Sequence, residues 1–122
     1  MKTALLACCV LLSVETSASE ADAAQLQRQP LDATYTIYSG EPGERQAPTP
    51  KDKKIAITIK GKAASEIFNS IGPDSSVTCT TTTGERLREK GELWCSYRPQ
   101  SGYTCYLGFD LNTGRPSVGT SC

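Results

Sequence analysis

The chain has 122 residues, 13 Lys plus Arg balanced by 13 Asp plus Glu, and no histidine. That length supports one domain, near the size at which a hydrophobic core alone is marginal and covalent cross-links help. Balanced charge, with no basic run interleaved with aromatics, argues against a nucleic-acid platform, and the missing histidine removes the commonest general base.

At the start, Lys2 precedes an apolar run over residues 4–14. It falls short of the roughly 20 residues that a membrane-spanning helix needs. A positive start, a short apolar stretch and small residues after it read as a secretory signal peptide over residues 1–18, with cleavage after Ala18 and Ala23 as the second position. The competing reading is a lipobox, Leu5-Leu6-Ala7-Cys8, which would make Cys8 a lipid anchor on a surface-attached protein of structural role. Only four residues precede that box. Removal of the leader takes Cys8 and Cys9 and leaves Cys79, Cys95, Cys105 and Cys122. An even set in an exported chain of about 100 residues implies two disulfides and a secreted or periplasmic location. Zinc is disfavoured, because no Cys-x-x-Cys pair occurs, and no motif for another cofactor or metal is present.

Residues 19–52 are expected to form an acidic flexible arm followed by a linker. Glu20, Asp22, Asp32, Glu41 and Glu44 face only Arg28 between residues 19 and 44, and Gly40, Pro42, Gly43, Pro48 and Pro50 deny residues 39–52 a helix or a central strand. Within this stretch residues 21–29 could make a short helix stopped by Pro30, and residues 33–38 have strand composition. The folded domain is expected over residues 53–122.

The clearest strand is KIAITIK at 54–60, where Ile55, Ile57 and Ile59 alternate with Ala56 and Thr58. A helix follows over residues 62–71, with Ala64, Ile67, Phe68 and Ile71 on one stripe and Gly72-Pro73 as its stop. Three more strands are expected at 76–82, 92–98 and 103–111, with a last one at 117–122. The fold class is therefore α+β: one helix packed on a four- to five-stranded antiparallel sheet. If each hairpin folds symmetrically, all four cysteines share the helix-facing side with Val77, Thr81, Leu93, Tyr97, Tyr103, Leu107, Phe109, Leu111 and Val118. Cys79 and Cys122 would then lie three strand spacings of about 4.8 Å apart, beyond the reach of a cystine. The pairing expected on that geometry is Cys79–Cys95 with Cys105–Cys122.

The same parity sets Trp94 opposite Tyr106 on the other face, flanked by Thr78, Thr80, Ser96, Arg98 and Thr104. Trp, Tyr and Arg dominate interface hot spots, so Trp94, Tyr106 and Arg98 are candidate binding residues. The bland account is a stabilising cross-strand pair, or a pair covered by the N-terminal segment. Residues 84–90, with Arg86 and Arg88, and residues 98–102 are expected as protruding loops that could present further contacts. For catalysis only Glu85, Glu89, Glu92 and Asp110 remain, and no serine sits in a nucleophile elbow. Ser101-Gly102-Tyr103 resembles short motifs of bacterial lysozyme inhibitors; three residues in a loop do not define a family. The expectation from sequence is an exported, non-catalytic protein that binds another protein as an inhibitor or immunity-type factor. Its rival is a small carboxylate-dependent hydrolase, of glycosidase or ribonuclease type.

Overall fold

A computed structural model describes residues 3–4, 10–13 and 26–122. Both candidate cleavage positions, the Cys8 box and most of the 21–29 segment lie outside the described residues. The elements in chain order are β1 (Asp32–Tyr38), β2 (Lys54–Lys60), α1 (Gly61–Ser70), β3 (Arg86–Lys90), β4 (Leu93–Arg98), β5 (Gly102–Asp110) and β6 (Pro116–Ser117). They build one antiparallel sheet in the order β1-β2-β5-β4-β3, with β6 added beside β5, and α1 packs on β2, β4 and β5. The described residues thus form an α+β fold, one helix on an antiparallel sheet.

Alternation in β2 works as its sequence demands. Ile57 and Ile59 face α1 opposite Leu107 and Cys105 of β5, while Ala56 is buried on the far side against Gly108. Gly61 adopts φ +70°, a conformation that costs glycine little, and turns the chain from β2 straight into α1. Ala64 and Phe68, four residues apart on the inner stripe, are fully buried, with Ile71 beside them. The Phe68 ring lies 5.1 Å from Tyr103, which in turn lies 4.8 Å from Tyr97. At about 1.5 Å per residue the ten-residue helix covers only ~15 Å of sheet. The end of the sheet around Ile55 and Phe109 is left partly open.

Two arginines fasten the helix end to β3. Arg88 Nη1 donates to the carbonyls of Phe68 (2.8 Å) and Ile71 (2.9 Å), satisfying acceptors that a helix C-terminus leaves free. Its Nε donates to Asp74 Oδ1 at 2.6 Å, and Arg86 grips the same carboxylate through Nε and Nη2. Both guanidinium groups lie over the Phe68 ring, at 4.4 and 5.0 Å from its centroid. The donors from Arg86, then those from Arg88, hold the Asp74 carboxyl at about 2, well below the usual aspartate range.

Three of the expected strand and loop assignments require correction. Residues 76–82 are not a strand: Thr78 Oγ1 donates to the Thr80 carbonyl, and the Thr82 amide donates to Thr80 Oγ1, so local bonds replace a ladder. The hairpin partner of β4 is instead β3, reached through a two-residue turn at Gly91 and Glu92, so residues 86–90 are strand rather than a protruding loop. The last strand is only two residues long. β4 already occupies the flank of β5 from Tyr106 to Gly102, and β6 can pair only with Gly108 and Phe109 beyond it.

The disulfides follow from those changes. They are Cys79–Cys122 and Cys95–Cys105, not Cys79–Cys95 with Cys105–Cys122. Cys95 and Cys105 are direct cross-strand partners, 4.0 Å apart at Cα and fully buried under α1. Cys79 and Cys122 belong to irregular segments that leave the sheet, so the spacing argument against their union does not apply, and their Cα atoms lie 5.1 Å apart. Two cystines place the folded protein in an oxidising compartment.

The boundary of the folded unit also moves. β1 pairs with β2 across all seven residues, and the loop after it is tied down rather than free. Ser39 and Gln46 exchange backbone hydrogen bonds, and Asp52 accepts from the Gly40 amide at 2.8 Å and from Lys54 Nζ at 2.7 Å. From Asp32 onward the chain is therefore part of the sheet and its loops.

Asp74→Asn is expected to lower Tm at neutral pH. Because the folded-state pKa is depressed, the Asp74 contribution is present above the unfolded value of about 3.9 and is lost as pH falls through about 2. Thermal melts of both proteins from pH 7 to pH 2 should therefore converge at the acid end. Peptide mapping without reduction should recover the Cys79 peptide joined to the C-terminal one.

Candidate functional site

The far face of the sheet is roofed by segments from both ends of the domain. After β6 the chain crosses the edge of β5 at Gly119, where an added Cβ would fall 2.5 Å from the Leu107 carbonyl oxygen, so only glycine permits the passage. Arg45 Nη2 donates to the Gly119 carbonyl at 2.9 Å, which joins the tail to the 39–52 loop. The Arg45 guanidinium also covers the buried Tyr38 ring at 4.8 Å. From Gly119 the tail reaches Cys122 and is stapled to Cys79.

Beneath this staple lies a cleft of about 200 Å³. Its floor is β4 and β5, through Trp94, Ser96, Arg98 and Tyr106, with Trp94 and Tyr106 directly opposite each other. Its walls are Thr80, Thr120, Ser121 and the Cys79–Cys122 cystine. Parity explains the floor: since Cys95 and Cys105 point inward, their neighbours Trp94, Ser96 and Tyr106 must point outward.

The polar end of the cleft rests on a buried carboxylate. The Glu85 side chain is fully buried, accepts a hydrogen bond from Thr80 Oγ1, and has Oε1 3.7 Å from Arg98 Nη2. Arg98 Nε is buried and has no hydrogen-bond partner among the described residues. A guanidinium already facing a buried carboxylate offers directed N–H donors more than net positive charge. The site is therefore suited to polar, uncharged acceptors beside an aromatic surface.

Of the residues singled out from sequence, Trp94, Tyr106 and Arg98 come together, with Ser96 and Thr80. Arg86 and Arg88 do not join them, since they lie on the helix side of the sheet, bound to Asp74 and to helix carbonyls. Among the described residues the segment that covers Trp94 and Tyr106 is the C-terminal tail. Residues 98–102 form a tight turn, closed by a bond from the Ser101 amide to the Arg98 carbonyl. The four carboxylates are dispersed. Glu85 supports Arg98, Glu89 sits beside Trp94 on the edge strand, and Glu92 borders a separate groove near Phe109. Asp110 accepts the amides of Asn112 and Thr113 in the turn after β5.

Sequence reasoning missed Thr120 and Ser121, and it named Glu85 only among the candidate carboxylates, not as the support of Arg98. Gly119 was the available signal, because a glycine inside an otherwise strand-like run marks a close backbone approach. Among the described residues no cluster of three or more His, Cys, Asp or Glu side chains could hold a metal ion, and no helix is long and apolar enough to cross a membrane. Comparison with protein-family models, curated proteins and solved structures gives no match.

Replacing Cys79 and Cys122 together by serine removes the wall of the cleft. With a 43-residue separation, loss of the cystine should cost about 4 kcal/mol on the chain-entropy scale. Trp94 is the only tryptophan in the chain, so its emission reports the site, and the double variant should show a red shift while remaining folded.

Proposed function

We propose that the protein is an exported, non-catalytic binding module that captures an exposed segment of a partner protein in the Trp94–Tyr106–Arg98 cleft. It acts as an inhibitor or immunity-type factor toward an enzyme of the envelope or extracellular space. The observation that carries this reading is the company these three residues keep. An aromatic pair and a part-exposed arginine side chain share one concavity whose walls are held by a covalent staple. Preorganised walls lower the ordering cost of binding, and a partly desolvated Trp, Tyr and Arg set is the composition of an interface hot spot. The hydrolase alternative needs two carboxylates reaching one bond, and Glu85, Glu89, Glu92 and Asp110 occupy separate surroundings. The paired disulfides fit a secreted or periplasmic life in which the leader is removed.

The test is affinity capture from periplasm or culture fluid with the oxidised protein. The expected result is a specific retained protein whose recovery falls at least about tenfold with Trp94→Ala plus Tyr106→Ala, as for loss of hot-spot residues, while Tm stays close to wild type. Unfolding of the double variant would make the pair structural. Turnover of a glycan or RNA panel without any captured partner would favour the hydrolase.

A further inference from the structure

The two edges of the sheet are finished differently. At β3, RLREK places four charged residues in five. Its Leu87 carbonyl accepts from the Ser75 amide at 2.7 Å, so a loop already covers part of that edge. Charged side chains and a covering loop are the usual protection of an edge strand. At β1, DATYTIY carries one charge, Asp32 at its first position, and has no lysine, proline or bulge. Residues Asp32–Thr36 are exposed, and among the described residues only β2 pairs with this strand. Its outer row of backbone N–H and C=O groups is a template for one more strand.

We infer that β1 pairs with β1 of a second copy of this chain, antiparallel about a two-fold axis at Tyr35. Self-pairing suits the sequence. About that axis Thr34 meets Thr36 of the second copy, Ala33 meets Ile37, Asp32 meets Tyr38, and Tyr35 meets itself, so no like charges oppose. The helix side supplies a second reason. Tyr35 aligns with Ile57 and Leu107, which pack against the core under α1, and Ile37 aligns with Ile55 and Phe109 at the end of the sheet left partly open, so apolar rows run from β1 into the sheet. Tyr35 is 70% exposed and Phe109 36%. Pairing at β1 continues these rows from one copy into the other and buries Tyr35 at the junction. The cleft lies on the opposite face, so this association is independent of partner capture.

Sedimentation of the oxidised protein over a concentration series tests it. The expected result is a dimer at about 100 μM, a range where weak specific association is populated. Tyr35→Lys sets two lysines face to face and should weaken association at least about tenfold, with unchanged near-UV circular dichroism. Thr36→Lys, on the other face of the same strand, should do the same and decides the matter if Tyr35→Lys misfolds. Glu89→Lys on β3 should leave association unchanged. A protein that stays monomeric throughout the series, or a dimer that responds to Glu89→Lys and not to the β1 variants, overturns the inference.

Discussion

The register of β4 on β5 is the constraint from which both faces of the molecule follow. Cys95 and Cys105 are opposite each other and bonded, so the two strands cannot slide without breaking a covalent link. Side chains alternate along a strand, and a slip of one residue would exchange the inner and outer sets. The buried cystine therefore does more than fill the core under Phe68. By pinning the inward residues it also obliges Trp94, Ser96 and Tyr106 to point to the other side, where the cleft forms.

The two faces are closed by different means. On the inner side closure is apolar, with the Phe68, Tyr103 and Tyr97 rings in contact, and Arg86 and Arg88 carry the helix end across to the edge strand. Those guanidinium groups lie against an aromatic ring and a carboxylate and so act as structural ties, a use in which arginine's planar fork outperforms lysine. On the outer side closure is by loops, secured by Arg45, Asp52 and a peripheral cystine. Loops joined at a few points leave space between them, which is where a binding site can exist.

How far the sequence could be read depended on whether local pattern and long-range packing agreed. Alternation in KIAITIK, the helical stripe of Ala64, Phe68 and Ile71, and the pairing of Trp94 with Tyr106 are local or one-turn relations, and each appears in the structure. Residues 76–82 failed because a threonine-rich run has strand propensity, while its hydroxyl groups find closer partners in the backbone beside them. With that segment outside the sheet, Cys79 is free of the strand spacings that separate sheet positions and reaches Cys122. The role of β3 was concealed for a related reason: Arg86, Arg88 and Lys90 look like solvent-facing charge until Asp74 and the helix carbonyls are known to face them. The cleft was half legible. Its floor came from parity, and its walls came from a tail whose path depends on β4 blocking the flank of β5.

The order of strands also bears on when this molecule can acquire its shape. β2, made early, lies between β1 and β5, and β5 is made about 50 residues later, after the helix and both strands of the β3–β4 hairpin. β1 is available to β2 from the start, but Ile57 and Ile59 gain their partners Leu107 and Cys105 only then, and long-range pairings of this kind form slowly because chain closure must precede the contacts that reward it. A growing polypeptide of this design stays open until nearly all of it has been synthesised, a schedule compatible with threading through a narrow translocation pore before folding begins.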